Sequence, residues 1–325
     1  MLDLSFTEGY PLPGSSARVS FRGRLSPEGE RRALLLEEIR KRLLRILGLQ
    51  GEVFFVGSAL EFVRARVLRV LRRGGRIGVS VHCDPLWRAA LRSDGISLEQ
   101  DPQVDLWITA AVDPITGELG DIAGREVLCD ARWAHLAKAP LPEADWWVLG
   151  AETWGVPPGA CAVVGREAEE DAPSAIALAE NWEEACRFWE ESREHIAETL
   201  QREGQAWRAV LEELPGVRLF PGGNAGIHWL ETPGIPGDLL FTVLRREGIL
   251  VSTGTHCPAG VPMPPESLRA RGIGERRVRE GIRIALHWDY GAPERSYFLE
   301  VLERVLARLR ADEGGPSRHR PSPDA

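Results

Sequence analysis

The chain has 325 residues, 43% of them hydrophobic, and a formal net charge of −8. That length suffices to bury a sizeable core in one two-part globular unit, and the acidic balance argues against nucleic acid as the main partner, because a phosphate-binding surface wants a basic excess. No signal peptide opens the chain and no apolar run is long enough to cross a bilayer, so a soluble cytoplasmic protein with no membrane partner is expected.

Residues 1–25 are assigned to an N-terminal arm. Ser26-Pro27 starts a helix, with serine as N-cap and proline at the first helical position, and Gly48 closes it. The arginines from Arg31 to Arg45 alternate with Leu34, Leu35, Leu36, Ile39, Leu43 and Leu44 at helical spacing, which makes them the wet face of an amphipathic helix. Glu52–Val56 then reads as a strand, Ser58–Arg73 as a helix, Arg76–Val81 as a strand and Pro85–Arg92 as a short helix. Further strands are expected at Val104–Val112, Glu126–Cys129, Asp145–Leu149 and Ala160–Val164. Strands alternating with helices predict an α/β unit over 26–174 with a mainly parallel sheet covered on both faces. Residues 175–214 are read as a connecting helical segment. Residues 215–311 are read as a small C-terminal α/β domain, with strands at Val217–Phe220, Gly226–Leu230, Ile249–Ser252 and Gly281–Leu286 and helices at Gly237–Glu247 and Pro293–Arg310. Residues 312–325, rich in proline, serine and charge, are expected to be a disordered tail.

Five cysteines form no CxxC pair, so neither a disulfide framework nor a metal site is expected. The most suggestive of them lies in Gly248-Ile-Leu-Val-Ser-Thr-Gly-Thr-His256-Cys257-Pro-Ala-Gly260. There Gly254 permits a sharp turn, and His256 favours the thiolate of Cys257, the form that attacks sulfur. The blander reading is a small buried cysteine in a loop. Downstream, Val278-Arg-Glu-Gly-Ile-Arg283-Ile-Ala-Leu286 offers Arg283, a guanidinium suited to bidentate grip of a carboxylate or, more plainly, to a structural ion pair.

These two spaced strings resemble the C-terminal part of cysteine desulfurases, in the class V aminotransferase branch of the PLP-dependent fold type I enzymes. The resemblance implies a fold type I architecture, a large domain with a mainly parallel sheet plus a small C-terminal domain. It also implies a pyridoxal phosphate cofactor, a persulfide-carrying role for Cys257 and a substrate-carboxylate role for Arg283. By the same resemblance Asp130 pairs with the pyridine nitrogen, Ser58 stands at the phosphate-cradling turn, and Asp145–Val164 matches the family's strand, cofactor lysine, glycine-rich turn and return strand. Here Glu152 and Thr153 occupy the place of the His–Lys pair, and Cys83-Asp84-Pro85 stands where the family's ring-stacking histidine is found. The chain has only two lysines, Lys41 and Lys138, against 38 arginines. Arginine cannot substitute in a Schiff base, because its guanidinium stays protonated.

The expectation is therefore a cysteine desulfurase-like protein that has lost Schiff-base catalysis and acts as a non-catalytic partner, as a scaffold, or as a persulfide carrier through Cys257. The alternative is an active desulfurase or aminotransferase-like enzyme with noncovalent PLP or a relocated lysine. The family implies a homodimer or a heterodimer with an active paralogue, and a sulfur-acceptor protein as a further partner. For Trp146, Trp147 and Trp154 one reading is that they fill the space PLP would otherwise occupy; the favoured one for most of them is core or dimer-interface packing.

Overall fold

The computed structural model describes residues 2–4, 27–138, 141–253 and 266–313. The elements run in the order β1 (Leu2–Asp3), α1 (Pro27–Leu47), β2 (Glu52–Val56), α2 (Ala59–Leu71), β3 (Ile77–Val79), α3 (Pro85–Ser93), β4 (Leu106–Ala110), β5 (Glu126–Asp130), β6 (Trp146–Leu149) and β7 (Cys161–Gly165). They continue with α4 (Pro173–Ala177), α5 (Ala179–Glu212), β8 (Arg218–Leu219), β9 (Ile227–Glu231), α6 (Gly237–Arg246), β10 (Ile249–Leu250), α7 (Glu266–Ala270), α8 (Glu275–Arg279), β11 (Gly281–Ala285) and α9 (Ala292–Glu313). The expected Ser26 cap, the His256–Cys257 loop and the residues beyond 313 lie outside the described residues.

Six strands form one sheet in the order β2-β7-β6-β5-β4-β3. The run β3 to β6 is parallel, and β7 is antiparallel to both of its neighbours. Alternation along each strand sends side chains to opposite faces. Val53, Phe55, Cys129, Leu149 and Val164 join the core beneath α1 and α5, whereas Phe54, Leu128, Val148 and Val163 join the core beneath α2 and α3. Both faces are thus covered, as the near-continuous apolar strands require. Two indole N–H groups tie α5 to the sheet side: Trp182 Nε1 donates to the Ala160 carbonyl at 3.0 Å and Trp189 Nε1 to that of Trp154 at 3.1 Å.

The C-terminal strands make a separate antiparallel sheet, β11-β9-β8, and β1 pairs in parallel with β10. The buried side chains Leu2 and Leu4 anchor this N-terminal piece in the main core, so the start of the expected arm is a strand. The connecting segment 175–214 is helical, made of α4 and α5 joined at Leu178, whose backbone (φ −103°, ψ 7°) leaves the helical region.

Of the two tryptophan readings, core packing agrees with the structure and the shared pocket does not. Trp146 and Trp147 are neighbours on β6 and point to opposite faces. Trp146 packs against Phe54 and Phe62 under the Arg66 guanidinium, 3.4 Å from its ring centroid, while Trp147 and Trp154 belong to the other core. The three rings fill no common space.

Candidate functional site

In an open parallel sheet the strand C-termini and the loops that follow them form the natural crevice for ligands. Here that edge gathers Ser80 to Asp84 after β3, Asp113 after β4, Asp130 and Arg132 at the end of β5, and Gly150 to Thr153 after β6. Asp84 caps α3, its Oδ1 accepting the amides of Leu86 at 2.5 Å and Trp87 at 3.3 Å. Its Oδ2 accepts from Arg132 Nη2. Asp130, 3% exposed, meets the same guanidinium from the other side. Arg132 Nε lies 2.9 Å from Oδ1 and 3.0 Å from Oδ2, Nη2 lies 2.5 Å from Oδ2, and the Arg132 amide donates to Oδ1 at 3.1 Å. Burial works against the Arg132 cation, but Asp130 and then Asp84 outweigh it, and its pKa is held above the ordinary arginine value.

The other expected residues sit around this clamp or away from it. Thr153 is buried in a short 3₁₀ turn, Glu152–Trp154, and its hydroxyl donates to the Gly150 carbonyl at 2.9 Å. Ser58 is the N-cap of α2, accepting the Glu61 amide at 3.4 Å. Arg283 lies on β11, 2% exposed, and its Nε donates to the Pro114 carbonyl at 2.5 Å, so it abuts the turn that follows β4. In that turn Asp113 accepts the amides of Ile115 at 2.7 Å and Thr116 at 3.0 Å, and His82 Nδ1 lies 3.0 Å from its other oxygen. Cys257 and His256 lie outside the described residues. Both lysines are in exposed ion pairs, Lys41 with Glu38 at 2.8 Å and Lys138 with Glu198 at 2.9 Å, away from the clamp.

Sequence reasoning picked out Asp130 but missed Arg132 and the pairing role of Asp84. A signal was present in the Asp-Ala-Arg string at the end of an apolar run, followed by a glycine at position 150. A β-carbon at Gly150 would lie 2.5 Å from Arg132 Cγ and 2.6 Å from Cδ, so the bare backbone there makes room for the arginine stem.

Four described cysteines, Cys83, Cys129, Cys161 and Cys186, are all buried. Burial pushes each thiol up, Cys186 to about 12, which keeps them protonated and unreactive. Among the described residues no group of three or more His, Cys, Asp or Glu side chains converges to hold a metal ion, and no helix is long and apolar enough to cross a membrane.

The residues present do not fit pyridoxal phosphate held in the family manner. Both oxygens of the aspartate that should meet the ring nitrogen are engaged by a guanidinium. By the resemblance, Asp84 falls at the stacking position and Thr153 at the lysine place; the first is bound to Arg132, and the second is buried and hydrogen-bonded to backbone.

No family model matches the chain. It is 30% identical over 149 residues to an IscS-like cysteine desulfurase from Mycobacterium tuberculosis, covering 45% of this chain and 37% of that protein. It is also 34% identical over 76 residues to a cysteine desulfurase from Rhodobacter capsulatus, covering 23% and 20%. The matched stretches thus span well under half the length of these relatives. The fold agrees over far more of the chain. A NifS-like protein from Rickettsia africae superposes with a TM-score of 0.69 at 13% identity, covering 94% of this chain and 99% of the other. An apo cysteine desulfurase from Thermococcus onnurineus superposes with a TM-score of 0.68 at 18% identity, covering 90% of each. The local sequence kinship is thus to cysteine desulfurases, and the architecture shared over most of the chain is the fold of NifS-like proteins.

Proposed function

We propose that the chain is a desulfurase homologue that works without Schiff-base chemistry, as a cytoplasmic partner or scaffold subunit and, in its sharper form, as a persulfide carrier through Cys257. The observation that carries this reading is the clamp of Asp130, Arg132 and Asp84 at the strand ends, where the family resemblance would put the cofactor ring. Its partner is a second copy or an active desulfurase paralogue, and a sulfur-acceptor protein takes the sulfur onward. In the carrier step the Cys257 thiolate attacks the terminal sulfur of a donor persulfide. One S–S bond breaks in the donor, one forms at Cys257, and the donor leaves as thiolate, so sulfur moves with no external oxidant or reductant. His256, next in sequence, favours the attacking thiolate.

Two measurements test this reading. Purified protein mixed with PLP, treated with borohydride and weighed intact is expected to carry no adduct; a visible band fixed as an adduct on Lys41 or Lys138 overturns the proposal in favour of an enzyme with a relocated lysine. Brief treatment of the native protein with iodoacetamide is expected to add one label, at Cys257, because the four buried thiols stay protonated. A Cys257 that resists alkylation removes the carrier role.

A further inference from the structure

We propose that Arg132 is an internal substitute for a cofactor cation: Asp130 and Asp84 form a socket for one planar cation, and the chain fills it from within. This deepens the reading that Schiff-base chemistry is absent and rests on it. Two carboxylates brought together at the buried end of a sheet repel one another, and the arrangement is tolerable only with a cation between them or a proton on one of them. Arg132 supplies that cation in fork geometry. Nε and Nη2 face Asp130 at 2.5 to 3.0 Å, and Nη2 also reaches Asp84. The Trp87 ring flanks the group, its centroid 5.4 Å from Arg132 Cζ, within the range of cation–π attraction.

The socket is assembled from distant parts of the chain, α3 and β5, whereas its occupant comes from two residues beyond Asp130. Gly150 clears the path of the stem, since a side chain there would meet Cγ and Cδ. Neighbouring Arg88 does not serve, because its guanidinium donates to the Ser80 carbonyl. Removing the Arg132 side chain therefore leaves two facing carboxylates beside an aromatic wall, a site for planar monocations with N–H donors, such as alkylguanidinium or a protonated pyridine.

The experiment uses the full chain with Arg132→Ala, its melting midpoint followed in millimolar methylguanidinium chloride against methylammonium chloride and sodium chloride at equal ionic strength. Arg132→Ala is expected to melt roughly 10 °C below wild type, from the cost of stranding buried charge. Methylguanidinium should recover part of that loss saturably, methylammonium should do so far less, and the wild type should respond to neither. Arg132→Lys, which keeps the charge without the fork, is expected to fold, to melt between the two, and to ignore methylguanidinium; it provides the test should the alanine variant fail to fold. A midpoint unchanged in either variant overturns the substitute role, and so does recovery equal for the two cations. A PLP adduct on the wild-type lysines would sink the wider reading. A failed rescue in protein that forms no such adduct sinks only this inference.

Discussion

Acidification from pH 6.5 to 4 is expected to strip this protein of a large part of its stability, through two buried histidines. His135 is held down to about 3, first by burial and then by the Arg193 charge, and His228 to about 4, first by burial and then by Arg208. Both rings are neutral in the folded protein at neutral pH, whereas in the unfolded chain they titrate near the ordinary value of about 6.5. The unfolded state therefore binds more protons below that pH. The stability due to the neutral rings is fully present above pH 6.5 and drains away as pH falls toward each folded pKa. At about 1.4 kcal/mol per pH unit, the full losses are about 5 kcal/mol for His135 and about 3 kcal/mol for His228. By pH 4 about 3 kcal/mol is lost at each site, a large part of a total stability of about 5–15 kcal/mol.

The two sites differ in what surrounds them. His135 packs between Trp154 and Trp189, with ring centroids 4.6 and 4.5 Å away, so His135→Phe keeps an aromatic filler and removes the titration. His228 on β9 has no hydrogen-bonding partner at either ring nitrogen and lines a cavity of about 530 Å³ with Gly204, Arg208, Gly223 and Asn224, so His228→Leu removes an unsatisfied polar group as well. Urea melts at pH 7 and pH 4.5 check the effect. The double variant should lose much less stability between the two than wild type does, and equal losses would show that the acid transition arises elsewhere.

How far the molecule was legible beforehand depends on how local each feature is. β2, β5, β6 and β7 were found within a residue or two, because each is a short apolar run closed by turn residues. β1 was missed because Leu2–Asp3 is a strand only by virtue of its partner Ile249–Leu250, some 247 residues on. α7 and α8 have five residues each, too few for periodicity to register. The pocket-filling reading of the tryptophans could be set aside from sequence alone: in a β-strand adjacent residues face opposite ways, so Trp146 and Trp147 do not both line one pocket. At the site, Asp130 was reached through its family likeness. The Asp84–Arg132 contact was not, because it joins residues 48 apart whose meeting depends on the sheet order, which no local pattern encodes.

Trp154→Ala is the substitution expected to cost most in the core. Its ring is fully buried in a cluster with His135, Trp182 and Trp189, the latter two at centroid distances of 6.1 and 6.2 Å. It also ends the 3₁₀ turn that carries Thr153. Truncation leaves a void bounded by α5 on one side and the sheet on the other, two rigid elements that cannot close it, so a loss of about 3–5 kcal/mol is expected in chemical denaturation. Trp154→Phe retains most of the filling and should cost clearly less. The same void bears on acid stability, since water admitted beside His135 relieves the burial that holds its pKa down. In Trp154→Ala the His135 ring, followed by NMR, should therefore titrate well above 3 and its share of the acid transition should shrink. A His135 pKa unmoved by the truncation would mean that the cavity stays dry or collapses, and that Arg193 rather than desolvation keeps the ring neutral.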